Sequence, residues 1–192
     1  MINKGSRSVK WVSLWVAMAT AMIPAAAQDP YGPSLEYQIK ATFLYNFAKF
    51  VEWPDDKLSA DSPILVGIYG KDPFGATLDH ALRGKTVNGR VLEVRRLDGL
   101  EHVKQYHILF ISSAEKKHLG RILSALGDAS VMTVGESDNF AQQGGMVNFV
   151  RKESSVALEI NVSAAGRARI QISSKLLKLA RVVQEKGRAE GN

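Results

Sequence analysis

The sequence predicts one three-layer α/β domain: a mostly parallel sheet, helices on both faces and an antiparallel hairpin at the C-terminal edge. Three observations carry that prediction. Short Val/Ile/Leu-rich runs alternate with segments of helical period. The runs are nearly continuous rather than alternating, as strands covered on both faces are. The 192 residues include no cysteine, so packing alone must hold the fold, and a chain of this size can bury enough surface to do so.

The first 27 residues stand apart from that domain. Lys4, Arg7 and Lys10 open the chain without an acidic residue, an apolar run from Trp11 to Ile23 follows, and Ala25-Ala26-Ala27 closes it. This is the pattern of a secretory signal peptide, with cleavage expected after Ala27 and a periplasmic destination. The apolar run is shorter than the roughly 20 residues a membrane span needs. Residues 28–34, with Pro30, Gly32 and Pro33, read as a mobile leader, residues 35–184 as the domain and residues 185–192 as a polar tail.

Within the domain, Ser34 is placed to cap a helix over 35–51 that ends at Trp53-Pro54. Leu35, Ile39, Phe43, Phe47 and Phe50 fall on one face of it, and Tyr37, Ala41, Leu44, Ala48 and Val51 on another. Ile64–Tyr69 is a central strand, Phe74–Arg83 a helix and Val91–Leu97 a second strand entered through an Asn88-Gly89 turn. Ile108–Ile111 is a third strand. Ser112 and Ser113 cap a helix over 114–126 closed by Gly127. Val131–Val134 is a fourth strand, and a short helix is expected over 137–142. Met146–Val150 and Val156–Ile160 form the antiparallel pair, and Ser173–Gln184 reads as a last helix.

The formal charge of +6 falls by half once the basic signal peptide is removed, and no basic run is interleaved with aromatics. Nucleic acid is therefore not an expected partner. Arg83-Gly84-Lys85-Thr86 resembles the end of a phosphate loop, but Asp79 stands where the first glycine belongs and a helix precedes it. His80, His102, His107 and His118 lack metal-ligand spacing, and there is no Gly-x-Ser-x-Gly elbow. No catalytic residue, metal or cofactor is expected.

Two stretches are unusual. Tyr37, Phe43, Tyr45, Phe47, Phe50 and Trp53 hold nearly half of the aromatic residues beyond the signal peptide. Tyr45, Asn46 and Trp53 are candidate partner contacts there, because Tyr and Trp concentrate at binding surfaces. Around the C-terminal strand, Glu159 is expected to point out of the core, Asn161 ends the strand, and Arg167 and Arg169 lie in a basic loop suited to carboxylates or phosphates. A second possibility is a small-molecule sensor feeding a histidine kinase or transport system. Its ligand would sit at the strand carboxyl ends, near Gly70, Asp72, Phe74 and Ser112.

Tyr37–Pro54, Gly70-Lys-Asp-Pro-Phe-Gly75, Gly84-Lys-x-Val-Asn-Gly-Arg90, Gly144-Gly-Met-Val-Asn-Phe149, Leu158-Glu-Ile-Asn161 and Ile172–Ala180 together resemble the YfiR-like proteins, the DUF4154 family. The resemblance spans residues 36–183 in order. It implies a periplasmic, non-enzymatic regulator. A member of that family represses an inner-membrane diguanylate cyclase through its periplasmic domain, and an outer-membrane lipoprotein relieves the repression. The implied output is cyclic-di-GMP and biofilm control, and the implied assembly a homodimer. Disulfide-based control found in some members does not transfer to a chain without cysteine.

Overall fold

The computed structural model describes residues 33–59, 62–152 and 155–186. The expected signal peptide and leader before Pro33, and the tail beyond Lys186, lie outside the described residues. Helix α1 (Pro33–Phe50) opens the domain two residues earlier than expected, with Pro33 at its first position, where a missing N–H costs nothing. Ser34 is therefore inside the helix. Strand β1 (Val51–Glu52) follows, then β2 (Ile64–Tyr69), α2 (Ala76–Leu82) and the hairpin of β3 (Thr86–Val87) and β4 (Arg90–Leu97). The hairpin turns on Asn88 and Gly89, both at positive φ (50° and 79°), the backbone a two-residue turn requires.

A 3₁₀ turn at Val103–Gln105 leads to β5 (Ile108–Ile111). The helix expected over 114–126 is in two parts, a 3₁₀ segment at Ser113–His118 and then α3 (Leu119–Leu126). Ser112 caps it by accepting a hydrogen bond from the Ala114 amide at 3.4 Å. Strands β6 (Met132–Gly135), β7 (Val147–Lys152) and β8 (Ser155–Ile160) precede α4 (Val162–Arg167), β9 (Gln171–Ile172), α5 (Ser174–Leu177) and β10 (Ala180–Val182).

The main sheet runs β10-β8-β7-β6-β5-β2-β4-β3. Its centre, from β4 to β7, is parallel; β7 and β8 are antiparallel, and so are β3 and β4. The two faces have separate cores. Ile108 and Phe110 of β5 pack with α1 and α2 residues such as Leu44, Phe47 and Leu78. The alternate residues Leu109 and Ile111 pack with Leu119, Ile122 and Leu126 of α3. A strand apolar on every residue is thus explained by helices on both sides. A two-stranded pairing of β1 with β9 (Val51↔Ile172, Glu52↔Gln171) ties the end of α1 to the C-terminal region.

Three expectations are corrected. The last helix is only four residues long, and the chain then becomes β10, parallel to β8 with Arg181 opposite Glu159. Helix continuation would have left β8 as an open edge, and pairing that edge outweighs local helix preference. Leu179 is 69% exposed. The hairpin consequently stands one strand in from the edge. Residues 137–142 form consecutive turns, not a helix; Asn139 is left-handed (φ 59°) and Gly145 N–H donates to Phe140 O at 3.0 Å. Most of the expected basic loop, up to Arg167, lies in α4 instead, because Asn161 Oδ1 accepts from the Ala164 amide at 3.0 Å and starts a helix there; Arg169 lies beyond its end.

Candidate functional site

From β4 through β7 the sheet has the doubly wound order in which strand direction of travel reverses between β2 and β5. Ligands of such sheets bind at that reversal, beyond the strand carboxyl ends. Two loops flank it: Gly70–Gly75 after β2 and Ser112–Ala114 after β5. The structure brings Gly70, Asp72, Phe74 and Ser112 together at this end, with their groups already engaged. Gly70 has φ 84°, and a Cβ there would press on Glu115 Cγ at 2.6 Å. Asp72 Oδ1 accepts the Phe74 amide at 2.7 Å, and Oδ2 receives Arg96 Nε at 3.0 Å. The Arg96 guanidinium also grips Asp79, and that hydrogen bond holds the Asp79 carboxyl below its ordinary range. Phe74 is buried edge-on against Phe110 and Tyr37, with centroids at 4.8 and 5.3 Å. Ser112 is a helix cap.

Beside these loops lies a buried ionic cluster that the sequence reading missed. Glu136 follows β6 directly and receives Lys40 Nζ of α1 at 2.7 Å; Lys40 also pairs with Glu36 at 2.5 Å. The Tyr37 hydroxyl donates to the same carboxylate at 3.3 Å, and Ser113 Oγ reaches it at 3.4 Å. Burial, then the charge of Glu136, pushes the Tyr37 hydroxyl well above its ordinary range. Lys40 Nζ also stands 4.6 Å from the Tyr37 ring centroid, a cation–π contact in a desolvated setting. The signal was present: Lys40 falls three residues after Tyr37 and four before Leu44, on the stripe the helix buries.

Two clefts open on the surface. One, of about 320 Å³, lies past the carboxyl end of β6 and is lined by Glu136, Gln142, Asn148, Arg151, Glu159 and Arg181 among others. The other, of about 350 Å³, runs between α3, the Gly127–Ala129 turn, Gly144 and α4. Both fall in the size class of small-molecule pockets, which begins near roughly 300 Å³.

The expected partner residues divide between these features and the core. Tyr45 and Asn46 are half-buried on α1; the Tyr45 hydroxyl donates to Thr86 O at 3.4 Å, and Lys49 and Lys85 flank its ring at 5.5 and 5.8 Å. Trp53 is a core residue, 7% exposed, whose indole donates to His107 O at 3.1 Å. Glu159 points away from the core that Leu158 and Ile160 face, as strand alternation requires, but it is buried: Arg181 on the neighbouring β10, Asn148 and Gln142 surround the carboxylate. Asn161 is fully buried as the α4 cap and donates to Ala141 O at 2.8 Å. Arg167 pairs with Glu185 at 2.7 Å beside the larger cleft. Arg169, left-handed at φ 55° and exposed, holds Asp56 at 2.8 Å, and that hydrogen bond keeps the Asp56 carboxyl low. The exposed members therefore sit on α1 and around α4, on separate elements.

Among the described residues no group of three or more His, Asp or Glu could hold a metal ion, and no helix is long and apolar enough to cross a membrane. The strand order and clefts define a doubly wound α/β domain with small-molecule-sized recesses. The chain belongs to the YfiR/HmsC-like family (DUF4154), whose sequence pattern matches residues 37–181. Family membership suggests a periplasmic regulator of diguanylate cyclase, and the family is regulatory rather than catalytic. No curated protein matches the chain significantly in sequence. The fold is similar to an ABC domain from Streptococcus pneumonia crystallised in complex with L-Trp, with TM-score 0.51 and 11% identity. That likeness covers 77% of this chain and 60% of the other, and it speaks to fold alone.

Proposed function

We propose that this protein is exported, loses its signal peptide after Ala27, and represses an inner-membrane diguanylate cyclase by binding that enzyme's periplasmic domain. Family membership over residues 37–181 carries the reading. In this reading the protein acts as a homodimer, an outer-membrane lipoprotein sequesters it, and cyclic-di-GMP and biofilm formation are the outputs. Repression requires tighter binding to the inactive state of the cyclase than to the active one. Moving a population from mostly active to mostly inactive takes about 3–5 kcal/mol of differential affinity.

The contacts we propose are the accessible ones: Tyr45 and Asn46 on α1, and Arg167 and Arg169 around α4. Lys49 and Lys85 beside Tyr45 give the first patch positive charge. Arg169, at 62% side-chain exposure, can exchange Asp56 for a partner carboxylate with little cost to the fold. The test is affinity capture of the cognate cyclase's periplasmic domain by the purified protein. Arg167→Glu with Arg169→Glu should weaken capture at least tenfold while the melting temperature stays within a few degrees. Unchanged capture would remove these arginines from the interface.

A further inference from the structure

The cleft beyond β6 has a floor that is unfinished in a specific way. Glu159 collects donors from three sides: the Asn148 and Gln142 amide nitrogens, each 3.4 Å from Oε2, and the Arg181 guanidinium on Oε1. Both amides are thereby fixed with nitrogen toward Glu159, so their carbonyl oxygens face away from it. Asn148 Oδ1 and Gln142 Oε1 are buried and receive no hydrogen bond. Asn148 is only 3% exposed. Two buried acceptors without donors, in one small cleft, are costly to the fold alone.

The charges around them are already matched. Glu159 has Arg181, Glu136 has Lys40, Asp138 has Lys116 and Arg151 has Glu36. The floor therefore calls for neutral donors, such as hydroxyl groups, rather than another cation. At the rim, Arg181 is 71% exposed and uses one nitrogen on Glu159. A guanidinium carries five N–H donors, so it can hold Glu159 and a ligand carboxylate together.

From this geometry we infer that the cleft binds a hydroxylated carboxylic acid of the sugar-acid class, such as a uronic acid unit. Ring hydroxyls donate to Asn148 Oδ1 and Gln142 Oε1, and the carboxylate rests on Arg181. The site is independent of the proposed cyclase contact, being built from β7, β8, β10 and the turn at Gln142.

Isothermal titration of the purified protein with galacturonate, glucose and glycine tests the assignment. Galacturonate should bind, and glucose, which lacks the carboxylate, at least tenfold more weakly. Glycine, with an ammonium in place of hydroxyls, should give no heat. Gln142→Met removes one acceptor at a half-buried position and should weaken galacturonate at least fivefold. Arg181→Met should abolish the preference of galacturonate over glucose, and Arg181→Lys should restore part of it. Thermal melts of each variant identify any that unfold, and Gln142→Met keeps the test alive if Arg181→Met does. No binding of galacturonate, binding of glycine in its place, or equal affinity in Gln142→Met overturns the inference.

Discussion

Lowering the pH from 7.5 to 4.5 should destabilise this fold by about 2–3 kcal/mol through one imidazole, His107. The ring is 4% exposed at the start of β5, with the Trp53 indole standing edge-on at 5.8 Å. Its Nδ1 accepts the Leu65 amide N–H at 3.0 Å, which only a ring unprotonated at that atom can do. Burial first, then the positive charge of Lys57, pulls the folded pKa down to about 4 from 6.5. Between those values the unfolded chain takes up a proton that the folded chain refuses. Stability is therefore complete above pH 6.5 and falls with the pH down to about 4. Urea unfolding at several pH values, in the wild type and in His107→Gln, isolates the effect. Glutamine can still accept from Leu65 but does not titrate, and the carboxylates titrate alike in both proteins. The wild type should lose about 2–3 kcal/mol relative to the variant between pH 7.5 and 4.5. A constant difference across that range would refute the reasoning.

Two further perturbations test the packing. Lys40→Met leaves the buried Glu136 without its cation, and Glu36 with only Arg151 at 3.6 Å, and should cost about 3–5 kcal/mol by chemical denaturation; adding Glu136→Gln should recover part of it. Gly145→Ala should cost about 1–3 kcal/mol by thermal melting, because the new methyl would meet the buried Phe140 ring. Gly120→Ala, where a Cβ has open space, should change the melting temperature little.

Elements whose character is local were legible in the sequence. Ile64–Tyr69 and Ile108–Ile111 are apolar at every position and are strands over those residues. Asn88-Gly89 names its own turn. The elements that escaped depend on something distant. Ala180–Val182 is a strand only because β8 offers an unpaired edge, and nothing local to Leu176–Val183 outweighs its helical spacing. Asn161 reads equally as a strand end or a helix cap until its amide donates to Ala141 O, 20 residues back in the chain. Glu159 obeys strand alternation, yet β10 buries it. Lys40 and Glu136, 96 residues apart, meet only when α1 crosses the end of β6. The candidate cleft is of the same kind, because Gln142, Asn148, Glu159 and Arg181 carry no shared spacing.

The central claim, export followed by repression of a membrane cyclase, is tested most directly by cellular cyclic-di-GMP. The measurement compares a strain lacking this protein with the same strain carrying either the full chain or a chain begun at Gln28. Deletion should raise the nucleotide several-fold. The full chain should return it to the original level, and the chain confined to the cytoplasm should leave it high. Equal restoration by both forms, or no change on deletion, would contradict the account.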